Sequence, residues 1–233
     1  MAILIWMASS SVKANVSDPN AFPLVTYEAH YKVSWRGIDA GESIHKLQRR
    51  ADGNYHFESR TEPRLAILPY HYVESSDFIW KEGKIIPQHY AYNIHEGKRR
   101  KVGNVIFDWK TNKLYNRQLD EPWELDIFDG IQDKITQGLA LRQALKSGQT
   151  TFTYQVAERD KIKPYTFKII GPEVLKTKLG ILKTLKLEHI SQKGHKTILW
   201  LALPYDYLPV KMTQNRNGKT VSTGEIVTFS RIS

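Results

Sequence analysis

Val25-Thr26-Tyr27-Glu28-Ala29-His30-Tyr31-Lys32-Val33-Ser34-Trp35 alternates without a break: Val25, Tyr27, Ala29, Tyr31, Val33 and Trp35 are apolar or aromatic, and every residue between them is polar. Successive side chains of an extended chain point to opposite faces, so the stretch predicts a β-strand with one buried face, about 35 Å long at roughly 3.3 Å per residue. A strand of that length belongs to a large antiparallel sheet or barrel.

The same period recurs outward from it. Alternating segments near 42–50, 55–61, 70–80, 85–94 and 99–109 are separated by turn signals at Gly37-Ile38-Asp39-Ala40-Gly41, Ala51-Asp52-Gly53-Asn54, Lys81-Glu82-Gly83-Lys84 and His95-Glu96-Gly97-Lys98. Such short connections favour sequential antiparallel neighbours. Lys110-Thr111-Asn112-Lys113 turns into a short seventh strand, and strands resume over 150–157, 165–170, 174–179, 182–190, 196–203, 210–215 and 225–232.

Between these halves the period changes. Six acids and no base fall between Asp120 and Asp133, followed by a helical pattern over 130–146 that stops at Ser147-Gly148. Ile131, Ile135, Leu139, Leu141 and Leu145 share one arc of that helix, and Asp126 or Asp129 is placed to cap its start. Ile198-Leu199-Trp200-Leu201-Ala202-Leu203 is apolar on both faces and needs cover on both sides, which the helix supplies on one. The fold expected is mainly β: one antiparallel open or closed barrel of about eleven to fourteen strands with a single packed helix near 130–146.

Residues 1–14 read as a signal peptide, with an apolar run Ala2-Ile3-Leu4-Ile5-Trp6-Met7-Ala8 and small residues at Val12-Lys13-Ala14, although no basic residue precedes the run. Residues 15–23 then read as a linker, and 24–233 as one β-barrel-like domain. No segment approaches the apolar length of a transmembrane helix. The 34 Lys and Arg outnumber 24 Asp and Glu, giving a net charge of +10 that favours anionic surfaces. No recognition-helix, RNP-type or zinc pattern accompanies the charge, so a nucleic-acid partner is not expected. With 0 Cys, disulfides, thiolate sites and a lipid-anchor cysteine are excluded.

Catalytic signatures are missing from the primary structure. The 8 His show neither HxH nor HExxH spacing, there is no GxSxG elbow, and the glycines do not cluster into a phosphate loop. No catalytic residue, metal ligand or cofactor is assigned. Aromatics are the better ligand candidates: Tyr90 and Tyr92 share a strand face, and Trp109 and Trp200 add bulk that suits acyl chains or sugar rings. Arg142 is the sharpest anomaly, because it projects from the helix's apolar face among Ile135, Leu139 and Leu145. It must pair with an internal acid such as Asp126, Asp129 or a strand carboxylate, reach solvent, or meet an anionic ligand.

Gly37-Ile38-Asp39-Ala40-Gly41-Glu42, Glu74-Ser75-Ser76-Asp77-Phe78, Ile86-Pro87, Phe107-Asp108-Trp109, Asp133-Lys134-Ile135-Thr136, Thr177-Lys178-Leu179-Gly180, and Trp200 with Tyr207-Leu208-Pro209-Val210 occur in an order that resembles the exported bacterial proteins grouped as domain of unknown function 3108. The resemblance implies a β-rich envelope protein and carries no catalytic residues over. The expected function is therefore a non-enzymatic periplasmic protein that binds an apolar or amphiphilic ligand such as lipid or lipopolysaccharide, or an envelope partner. Two alternatives stand beside it: a glycan-acting enzyme whose carboxylates converge in the fold, and a scaffold that pairs through a sheet edge.

Overall fold

The opening strand, β1 (Tyr27–Trp35), forms as the alternation predicts, with Tyr27, Ala29 and Tyr31 buried. The computed structural model describes residues 22–64, 70–116, 122–158 and 160–232, so the expected signal peptide and linker residues 15–21 lie outside the described residues. Phe22, assigned to the linker by its sequence, packs on Tyr55 at 4.4 Å and on Trp80 at 5.5 Å.

The turn after β1 is tighter than expected. Arg36 and Gly37 both adopt positive φ, 49° and 81°, which is the two-residue hairpin turn whose twist matches paired strands. Ile38, Asp39 and Ala40 therefore belong to β2 (Ile38–Arg49), and Ala40 is a bulge between pairs Val33 with Gly41 and Ser34 with Asp39. Gly41, at φ 142°, passes so close to β3 (Tyr55–Pro63) that an added Cβ would lie 2.0 Å from the Glu62 carbonyl oxygen.

The chain continues as a meander through β4 (Tyr70–Lys81), β5 (Lys84–Glu96), β6 (Arg99–Asp108), β7 (Lys113–Asn116) and β8 (Trp123–Asp126). Strand β8 corrects the reading of the acidic stretch. Trp123 and Leu125 pack on the core, while Glu124 and Asp126 face outward and both accept Lys113 of the neighbouring strand at 2.9 Å. Glu124 and Asp126 serve a strand edge and do not cap the helix.

The helix is correspondingly shorter. Residues 127–135 are non-helical, and α1 runs Thr136–Lys146. The remaining strands are β9 (Phe152–Glu158), β10 (Lys161–Thr177), β11 (Gly180–Ile190), β12 (Lys196–Ala202), β13 (Leu208–Arg216) and β14 (Lys219–Arg231). Gly171-Pro172, read as a break between two strands, is instead part of the long β10, which bulges at Ile170 just before it, with Gly171 at φ 151°. Proline is tolerated there because β9 pairs with β10 no further than Phe167, leaving that side of Pro172 without a strand partner.

Among the described residues fourteen strands form one antiparallel sheet in the order β8-β7-β6-β5-β4-β3-β2-β1-β14-β13-β12-β11-β10-β9. It is an open barrel, because the edges β8 and β9 are not paired with each other. Chain between β8 and α1 bridges the gap. Gln132 N–H donates to the Gln155 carbonyl at 2.9 Å and its own carbonyl accepts Ala157 N–H at 2.8 Å, while its side-chain amide reaches the Ile85 carbonyl of β5 at 3.1 Å. Inside the curled sheet, Leu139 packs toward β1–β4, and Leu141, Ala144 and Leu145 pack with Leu187 and Leu201 of β11 and β12. The doubly apolar β12 is covered as its sequence requires: Leu201 lies under the helix, and Trp200 points the other way into a cluster with Leu182.

Candidate functional site

The interior at the helix start is polar, and β4 positions it. Glu74, Ser76 and Phe78 share one strand face, with Phe78 sealed in the core. Ser76 Oγ donates to Asp133 Oδ2 at 2.6 Å. Asp133 Oδ1 accepts the N–H groups of Ile135 and Thr136 at 2.7 and 2.8 Å, and Thr136 Oγ1 accepts Asp133 N–H at 2.9 Å. Asp133, not Asp126 or Asp129, thus caps α1. Burial pushes its carboxyl up to about 6 despite these donors.

Lys134, the next residue, lies between two further carboxylates. Its Nζ is 3.9 Å from Glu74 Oε1, and Glu74 also accepts the Tyr90 hydroxyl. On the other side Glu158 of β9 accepts Lys163 Nζ at 2.8 Å and the Tyr165 hydroxyl at 3.3 Å. Burial pushes Glu158 up, but the Lys163 hydrogen bond and the charges of Lys134 and Lys163 outweigh it and hold the group below its usual range. Tyr90 is raised well above the phenol range by burial first and by Glu74 second. Tyr90, Tyr92, Ile94, Lys101, Lys134 and Glu158 enclose a pocket of about 120 Å³. A carboxylate held ionised by lysines is poorly suited to act as a general acid, and the pocket is well below the usual size of a ligand site.

The tract widens toward one end of the barrel. Ile94, on the inner pocket, is the cross-strand partner of Tyr72, which lines a larger cleft. That cleft measures about 370 Å³ and lies between the ends of β1, β2 and β13–β14 on one side and β4 with the β5–β6 turn on the other. Val33, Trp35, Tyr70, Tyr72 and Val221 line it, and Arg216 stands among them. Trp35, on the same strand face as buried Tyr27 and Tyr31, extends past the packed core into the opening and is 44% exposed. Arg36 stacks over its ring at 4.5 Å.

The five residues singled out by the sequence do not meet in one place. Tyr90 and Tyr92 line the inner pocket. Trp109 borders the same apolar cluster but is held by a hydrogen bond from its indole N–H to the Pro87 carbonyl at 2.7 Å. Trp200 lies on the sheet face away from the helix, with Lys186 and Lys211 over its ring at 4.8 and 5.6 Å. Arg142 is 2% exposed, and no carboxylate among the described residues pairs with it. Its Nε donates to the Asp206 carbonyl at 3.0 Å, Nη1 to the Tyr27 hydroxyl at 3.3 Å and Nη2 to the Tyr205 carbonyl at 3.5 Å. The internal ion pair expected for it is replaced by carbonyls of the turn before β13 and a cation–π contact with Tyr27 at 5.2 Å.

Sequence reasoning missed Glu74 and Glu158, because polar residues alternating along a strand look solvent-facing until the sheet curls around them, and missed Asp133 and Lys134 because their stretch read as the helix itself, whereas they lie in the connection before it. The mouth residue Trp35 was visible, but as plain core.

These features define a class: an open β-barrel-like sheet wrapped on one helix, with a polar interior and an aromatic mouth. A crystal structure described as a beta-barrel-like protein of domain of unknown function DUF1849 from Brucella abortus is similar in fold, with a TM-score of 0.58 over 91% of this chain and 100% of that one at 11% identity. No curated protein matches the chain. The family model described as protein of unknown function (DUF3108) matches residues 26–221, and the chain belongs to that family.

Proposed function

We propose that the protein is a non-enzymatic periplasmic binding protein that takes up the apolar part of an anionic amphiphile at the mouth of its barrel. The observation that carries this reading is the cleft of about 370 Å³, faced by Trp35, Tyr70 and Tyr72 and edged by Arg216. Its size lies in the range of small-molecule sites. Aromatic rings offer contact area to an acyl chain, and the guanidinium matches a phosphate or carboxylate head. Placement in the periplasm draws its support from the leader-like residues 1–14, and fractionation of the full-length protein tests it.

The binding test is a titration with lysophosphatidylglycerol below its micellar concentration, followed by tryptophan fluorescence. Trp35→Ala is expected to weaken binding by about tenfold. A wild-type protein that does not bind, or a Trp35→Ala variant that binds equally well, overturns the proposal. The glycan-acting alternative has two carboxylates in Glu74 and Glu158, but both carry lysine partners, and the pocket that Glu158 borders measures only about 120 Å³. The edge-pairing alternative has the distal half of β10, whose bulge at Ile170 and proline at 172 are devices that discourage strand addition.

A further inference from the structure

We propose that the mouth end of the barrel docks on an anionic lipid bilayer, resting on the reading of the mouth as the ligand entrance. Three strand connections converge there. The β1–β2 turn presents Trp35 and Ile38, the latter 59% exposed, with Arg36 between them. The β5–β6 turn presents exposed Lys98, Arg99 and Arg100, and Gly97 of the same turn lines the cleft. The β13–β14 turn adds exposed Arg216 and Lys219.

Unpaired cations gather more densely at this end than at the other. Among the described residues, none of Arg36, Lys98, Arg99, Arg100, Arg216 and Lys219 has a carboxylate within ion-pair distance. At the opposite end Lys84 is paired with Asp129 at 2.5 Å, Lys113 with Glu124 and Asp126 at 2.9 Å, and Lys146 with Asp206 at 2.8 Å, which leaves Lys110 and, around the β10–β11 turn, Lys176, Lys178 and Lys183 as the cations without a carboxylate there among the described residues. Unpaired cations around a projecting tryptophan and isoleucine match an anionic headgroup layer: the cations meet phosphates, and the indole enters the interfacial zone where tryptophan partitions. Docking in this pose sets the cleft against the membrane from which an amphiphile would enter.

The competing surface is the β10–β11 hairpin tip at the far end, where Ile181 is 75% exposed beside Lys176 and Lys183. It has fewer cations and no aromatic anchor, and it supplies the control. Vesicle flotation compares pure phosphatidylcholine with vesicles containing about a third phosphatidylglycerol, at low salt and at about 0.5 M salt. The wild-type protein should bind the anionic vesicles and release them at high salt. Lys98→Glu/Arg99→Glu/Arg100→Glu should reduce binding by about a hundredfold and Ile38→Asp by about tenfold. Lys176→Glu/Lys183→Glu should leave it nearly unchanged.

All three variants should still bind lysophosphatidylglycerol in solution, since none alters a residue of the cleft. Equal binding to both vesicle types, mouth variants that float like the wild type, or a hairpin variant impaired as severely as the mouth variants would each overturn the docking proposal. Vesicle docking that persists when lysophosphatidylglycerol fails to bind would overturn the ligand reading instead.

Discussion

Arg142 is satisfied by groups that cannot titrate in the physiological range: the Asp206 and Tyr205 carbonyls and the Tyr27 hydroxyl, whose own proton burial holds more firmly than in free tyrosine. Arg142→Met should therefore cost about 2–3 kcal/mol, because a buried carbonyl loses its donor. The loss should be the same near pH 5 and near pH 7.5 by denaturant titration; recovery on acidification would mean that a carboxylate had been orphaned. Two other buried groups do make stability pH-dependent, with opposite signs. Burial lowers His45 to about 4, so as pH falls from 6.5 toward 4 the unfolded chain binds a proton that the folded state refuses, and about 3 kcal/mol is lost. Burial raises Asp133 to about 6, so the folded state takes up its proton first, and about 3 kcal/mol is regained as pH falls from 6 toward 3.8. The two nearly cancel in the wild type. Asp133→Asn, which keeps the capping oxygen and removes the charge, should expose the histidine's slope as a steeper acid loss, and His45→Leu should turn it into a gain. Parallel pH profiles for the wild type and Asp133→Asn would show that Asp133 titrates normally.

At the scale of elements, the two glycines of the first hairpin have different tasks. Gly37 sits at φ 81° with open space around its Cα, so Gly37→Asn, a residue that also accepts this conformation, should shift stability by less than about 1 kcal/mol. Gly41 meets the Glu62 carbonyl, so Gly41→Ala must push β3 away from β2 and should cost about 2–4 kcal/mol by thermal or chemical denaturation. Equal effects would remove the close approach as the reason for glycine. This hairpin also marks how much the sequence discloses. Alternation revealed β1 and its buried face, because a period of two is a local property of one strand. The extent of β2, the existence of β8 and the true helix start were not legible, since each depends on a partner distant in sequence: Ala40 bulges against β1, Glu124 and Asp126 meet Lys113, and Asp133 turns its carboxyl to Ser76 and the helix N–H groups. The candidate site was hidden for the same reason. Tyr90 and Tyr92 were identifiable as one face, but Lys134 and Glu158 join them through curvature that no single strand encodes.

For the whole molecule, that curvature ends in a seam weaker than any long strand pair around it. Residues 131–133 connect the two halves through the Gln132 backbone bonds to Gln155 and Ala157 and its side-chain bond to Ile85, with Ile131 filling the apolar space beneath. β1, by contrast, is paired along its length on both sides, to β2 and to β14. Local opening costs least where the fewest bonds must break together. Amide exchange should therefore find Ala157 and Gln132 opening with a free energy about 2 kcal/mol or more below that of Ala29 and Tyr31, which should exchange near the global unfolding limit. Gln132→Ala removes the tie to β5 and leaves the backbone bonds to β9, so it should accelerate exchange at Ala157 while leaving the difference between Ala29 and global unfolding unchanged. Ala157 exchanging as slowly as Ala29 would mean that the barrel opens as one cooperative unit, and the seam would then be as strong as a closed strand pair. Faster exchange confined to the seam would instead make it the hinge about which the two halves of the sheet can separate, with Lys134, the residue after the seam, drawn away from either Glu74 or Glu158 as the inner pocket opens.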